Sequence, residues 1–96
     1  MRFEWDARKS ESNIAKHGID FAEAPRLFSA PMQIVPDTRQ DYGEDRWIGL
    51  GMLDGRVVAM VFTEPDEETT RIISIRRALP QEQKHYERYI RQFYSH

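Results

Sequence analysis

The chain is a single stretch of 96 residues with 40% hydrophobic, 31% charged and 11% aromatic side chains and no cysteine. That is too short for a multidomain enzyme, too apolar for a disordered segment and without the thiols of a disulfide scaffold or a thiolate metal site. The net charge of -2 hides an asymmetry, because the residues up to Thr70 sum to -6 and those from Arg71 onward to +4, so a local positive field can attract a polyanion.

Arg2 to Trp5 alternates polar and aromatic residues and predicts a short strand, with Asp6 as N-cap of a helix starting at Ala7. This first helix is mostly polar, with Ile14 as its main apolar anchor, and Lys16-His17-Gly18 supplies last-turn cations and a glycine stop. Asp20-Phe21-Ala22-Glu23 reads as a capping box for a second helix whose buried face is Phe21, Ala24, Leu27 and Phe28. Pro25 kinks that helix or delays its start. Met32 to Val35 reads as a strand, followed by a polar loop from Pro36.

Arg46 to Leu53 and Arg56 to Thr63 are β-rich runs joined by Asp54-Gly55, a pair suited to a type I′ hairpin turn. Gly49 and Gly51 alternate in the first arm and call for close packing against that face. Thr69 to Arg77 is a further strand, and Leu79-Pro80 opens a C-terminal helix with Tyr86, Ile90 and Phe93 on one face. The expected fold is a single α+β domain over residues 1–96. It has a short N-terminal strand, two helices, an antiparallel meander sheet and a C-terminal helix, with the early helices on one sheet face and the other partly open.

No glycine-rich phosphate loop, metal-ligating histidine pair or serine-hydrolase elbow is present, so neither cofactor nor metal is expected. Asp66-Glu67-Glu68 reads as solvated charge. The informative segment is Thr70 to Arg77. Strict alternation points Arg71, Ile73, Ile75 and Arg77 one way and Ile72, Ser74 and Arg76 the other, so one of the two terminal arginines faces each side. An arginine grips phosphate through a planar fork and suits the stabilisation of developing phosphorane charge; ion pairing at a sheet edge is the plainer reading.

The segments Phe3-Glu4-Trp5-Asp6, Lys16-His17-Gly18-Ile19-Asp20-Phe21, Gly55-Arg56-Val57-Val58, Phe62-Thr63-Glu64 and Arg71-Ile72-Ile73-Ser74-Ile75-Arg76-Arg77-Ala78, with Glu82 and Tyr86, resemble the BrnT toxin family in order and spacing. The resemblance implies a RelE-like fold and metal-independent RNA cleavage, in which a ribose 2′-hydroxyl attacks the adjacent phosphate. It further implies inhibition of translation, a cytoplasmic location with no membrane segment, and a BrnA-like ribbon-helix-helix antitoxin partner. Operator DNA would be bound only through the antitoxin complex, which allows a toxin homodimer within a heterotetramer.

On this resemblance Arg76 and Arg77 contact phosphate, Thr63, Glu64 and Ser74 orient the ribose or move protons, and Arg71, Lys84 and His17 contribute to RNA binding. Arg76, on the Ser74 side, is favoured over Arg77 because Ile73 and Ile75 give the other face two bulky aliphatic groups suited to packing against the early helices. His17 reads more simply as a cation on a helix C-terminus. Pro65 stands where many relatives look like arginine, which bears on activity. The alternative function is a catalytically weakened interaction module that acts by complexing the antitoxin.

Overall fold

A computed structural model of the chain describes residues 1–94. Nine elements follow one another: β1 (Arg2–Glu4), α1 (Ala7–His17), a 3-10 turn (Phe21–Glu23), α2 (Ala24–Phe28), β2 (Gln33–Pro36), β3 (Trp47–Leu53), β4 (Arg56–Asp66), β5 (Thr69–Arg77) and α3 (Pro80–Phe93). Local chemistry sets their ends. The Asp6 carboxylate accepts from the N–H groups of Arg8 (2.8 Å) and Lys9 (3.2 Å), and Gly18 closes α1 at φ 72°, a left-handed conformation that favours glycine. Pro25 delays the second helix: the 3-10 turn comes first, and α2 takes the proline in its opening turn.

The strands form one sheet in the order β1-β5-β4-β3-β2. From β2 to β5 each strand is antiparallel to the next, and the β3–β4 hairpin turns through Asp54 (φ 51°) and Gly55 (φ 78°) as the turn residues predict. The sheet is nevertheless mixed and not wholly antiparallel. β1 pairs parallel to β5, because the α1 and α2 crossover returns the chain to the far side of the sheet.

One face carries the larger core. Phe21, Ala24 and Leu27 pack on Met60, Phe62, Ile72 and Ile75, all of them at most 2% exposed. Gly49 and Gly51 lie under this layer, where an added Cβ would come within 2.7 Å of the Met32 sulfur and 3.0 Å of a Leu27 methyl. The opposite face is covered in part by α3, whose Tyr86 joins Ile48, Leu50, Val57, Ala59 and Val61 in a second core.

Two expectations about the interior fail for identifiable reasons. Ile14 is not the anchor of α1: it is 44% exposed, and the helix docks through buried Ser10 and Asn13 instead. In β5 the pairings Val61↔Ser74 and Phe62↔Ile72 leave Ile73 as an extra residue. This β-bulge breaks the alternation, so Ile72 and Ile75 share the larger core while Ile73 packs in the second. Arg71, whose partner is Thr63, thereby falls on the same side as Ser74 and Arg76.

Candidate functional site: a cationic groove at the free edge of β5

β1 pairs only with Thr69 to Arg71, so β5 has no strand neighbour on its outer side beyond that point. α1 fills the gap. The Asn13 side-chain amide donates to the carbonyls of Ile75 (2.8 Å) and Ile19 (2.9 Å), and its oxygen accepts from the Ile75 N–H (3.2 Å). One helical turn after Asn13 come Lys16 and His17; one and two residues after Ile75 come Arg76 and Arg77. The shared anchor therefore brings two cationic pairs to the same sheet edge.

The four side chains line, with Leu79, a groove of about 580 Å³. Arg76 and Arg77 leave the strand on opposite faces, beside Ala59 and Val58 respectively, but both reach this groove because it lies along an edge and not on a face. The two arginines thus border one groove although they leave the strand on opposite faces. His17 and Arg77 also border an adjoining cleft of about 420 Å³, with Ile19, Leu53 and Val58 as an apolar floor and Arg56, Asp20, Glu23 and Asp54 around it.

Charge is unevenly committed in the groove and its adjoining cleft. Among the described residues Lys16, His17, Arg56 and Arg77 have no ion-pair partner, whereas Arg76 is held by Glu82 at the start of α3, with Nη1–Oε1 2.7 Å and Nη2–Oε2 3.0 Å. Glu82 Oε1 also accepts from the Leu79 N–H at 2.8 Å, half of a capping box. The Arg76 hydrogen bonds hold the Glu82 carboxyl below the ordinary carboxylate range, against the opposing effect of its partial burial. Asp54 and Glu23 are both occupied by Arg26, through contacts of 2.6 and 2.5 Å.

The remaining candidates lie elsewhere. Thr63 is opposite Arg71 at the other end of β5, about 20 Å along the strand from Arg77 at about 3.3 Å per residue. The Thr63 side chain is buried with no hydrogen-bond partner for its hydroxyl, Arg71 is tied to Glu4 (2.7 Å), and Glu64 and Pro65 are exposed near the β4–β5 turn. Ser74 is half-buried opposite Val61, on the face covered by α3, and Lys84 is exposed on α3. A site joining Thr63, Glu64 and Arg71 to the terminal arginines is not assembled. Asn13 carries no signal of its own in the sequence and Glu82 enters only through the resemblance, without a role; the four-residue spacing from Asn13 to His17, which places them on one helix face, is the available signal.

The model of the family described as "Ribonuclease toxin, BrnT, of type II toxin-antitoxin system" matches residues 5–82. The chain belongs to the BrnT toxin family. A crystal structure of the Brucella abortus ribonuclease toxin BrnT, determined at 1.1 Å, is similar to it with 32% sequence identity and a TM-score of 0.68, over 82% of this chain and 97% of that toxin. No curated protein matches. Membership in a type II system implies an antitoxin partner, and no helix among the described residues is long and apolar enough to cross a membrane. Two of the segments that carry the BrnT resemblance, Lys16–Phe21 and Arg71–Ala78, meet at the groove through Lys16, His17, Arg76 and Arg77.

Proposed function

We propose that this chain is an endoribonuclease toxin that cleaves RNA without a metal ion in the groove between the end of α1 and the end of β5, stopping translation in the cytoplasm. The observation that carries the reading is the convergence of Lys16, His17, Arg76 and Arg77 on one groove, with three of the four free of carboxylate partners among the described residues. In the reaction the 2′-hydroxyl loses its proton, its oxygen bonds to phosphorus and the P–O5′ bond breaks. The departing 5′-oxygen takes up a proton, leaving a 2′,3′-cyclic phosphate and a 5′-hydroxyl.

Arg77 and Arg76 stabilise charge on the non-bridging oxygens, Lys16 adds to the field that draws the phosphate in, and His17 transfers protons. Thr63, Glu64 and Arg71 lie too far away to touch the same phosphate, and Lys84 contacts only flanking RNA. Pro65 is at the distal end as well, away from the groove, so on this reading the proline there leaves the groove residues in place. The partner is a ribbon-helix-helix antitoxin of the BrnA type; operator DNA binding belongs to the complex, since this chain carries no recognition-helix motif.

The test is incubation of the purified chain with a defined RNA in EDTA, followed by analysis of the ends. Cyclic phosphate and 5′-hydroxyl termini support the reading. Intact RNA, or cleavage that requires added magnesium, contradicts it.

A further inference from the structure

Arg76 has a second, unused fork. Its Nη1 and Nη2 hold the Glu82 carboxylate end-on, and Nη1 makes one further, longer contact with the Arg77 carbonyl at 3.4 Å. The side-on edge, formed by Nε–H and the other Nη2–H, has no protein partner among the described residues, and Arg76 belongs to the groove lining. A guanidinium offers five N–H donors in a fixed plane, so fixing one fork fixes the direction of the other. Glu82 is itself fixed, by the Leu79 N–H and by its place in the first turn of α3.

We propose that Glu82 is a positioning residue: it holds the Arg76 guanidinium end-on so that its free side-on fork is aimed at the RNA phosphate in the groove. This rests on the groove being the RNA site. The alternative roles give different results. A purely structural Glu82 ties α3 to β5 and affects cleavage only through folding. A masking Glu82 neutralises Arg76 and keeps it from RNA. The positioning role follows from the geometry, because the carboxylate occupies one fork and leaves the other open, and both partners are about one-fifth exposed, where an ordered guanidinium is little screened.

The experiment is a double-mutant cycle with Glu82→Gln, Arg76→Ala and the double variant, together with the charge swap Arg76→Glu/Glu82→Arg. Glutamine retains an oxygen that can cap the Leu79 N–H and removes the charge that fixes Arg76. Each protein is assayed for cleavage of a defined RNA, for binding of an uncleavable 2′-O-methyl oligonucleotide and for melting temperature. Glu82→Gln should lower kcat by about 10- to 100-fold with little change in KM, the scale of a catalytic group displaced by about 1 Å. Adding it to Arg76→Ala should cost less than about twofold more. The swap should recover the melting temperature and not the cleavage.

Equal losses in both backgrounds, a swap that restores cleavage, or a Glu82→Gln variant as active as or more active than the wild type would each overturn the proposal. If the wild type does not cleave, the proposed function fails, and the cycle is then read on oligonucleotide binding. There the positioning role predicts that Glu82→Gln weakens binding only when Arg76 is present, and additive effects reject it.

Discussion

The side-chain amide of Asn13 and the main chain of Ile75 bond each other in both directions, so that a helix residue satisfies a strand edge that no strand covers. This contact docks an otherwise polar helix and sets where Lys16 and His17 fall relative to Arg76 and Arg77. Asn13→Ala leaves the buried N–H and C=O of Ile75 without partners, and each such group costs about 1–3 kcal/mol. The expected loss is about 2–4 kcal/mol in urea unfolding, with cleavage reduced further than the unfolded fraction explains. A variant of unchanged stability would show that the edge is satisfied some other way.

The loop after β2 supplies an acid-sensitive contact. The buried Asp37 carboxylate is held by Arg39 through two bonds of 2.8 Å, and these bonds lower its pKa from 3.8 to about 2. A carboxyl whose folded pKa is depressed stabilises the fold above its unfolded value and loses that contribution as the pH falls through the folded one. Stability should therefore drop between about pH 4 and 2. In Arg39→Ala the Asp37-dependent part of this slope should shrink, with about 1–3 kcal/mol lost at pH 7 because a buried carboxylate has lost its partner. Urea titrations of both proteins from pH 2 to 7 check this; parallel curves would contradict it.

Thr63 is a candidate that the fold sets apart. Its hydroxyl is buried with no hydrogen-bond partner, so Thr63→Val removes an unsatisfied polar group at almost constant volume. The variant should be as stable as the wild type or up to about 1 kcal/mol more stable, with cleavage within about twofold. A large loss of cleavage with folding intact would return this end of β4 to the mechanism.

Pro65→Arg introduces an arginine where the resemblance implies one. Because the position is exposed at the end of the sheet away from the groove, the substitution should leave the cleavage rate within about threefold. A gain of 10-fold or more would mean that RNA reaches the β4–β5 turn.

Several elements were legible because short-range chemistry fixes them: Asp6 and Gly18 bracket α1, Asp54-Gly55 can only turn, and Pro25 cannot sit deep in a helix. The bulge was not, since Ile72-Ile73-Ser74-Ile75 supports more than one alternation and the register is set by which isoleucines the two cores accept. Nor was the docking of α1, because an asparagine in a polar helix reads as surface until a strand edge faces it. The parallel placement of β1 depends on the same long-range geometry. Of the proposed site residues, His17, Arg76 and Arg77 come together, while Thr63, Glu64 and Arg71, which only the resemblance links to them, lie along strands that run away from the groove.

The most direct test of the groove is a comparison of RNA cleavage in EDTA by the wild type, His17→Ala, Arg77→Ala, Arg71→Ala and Thr63→Val, each confirmed folded by circular dichroism. The account predicts losses of about 100-fold or more for His17→Ala and Arg77→Ala, the scale of removing a proton-transfer or charge-stabilising group, and changes within about threefold for the two distal variants. The reverse pattern, with Arg71→Ala or Thr63→Val inactive and the groove variants fully active, would contradict it.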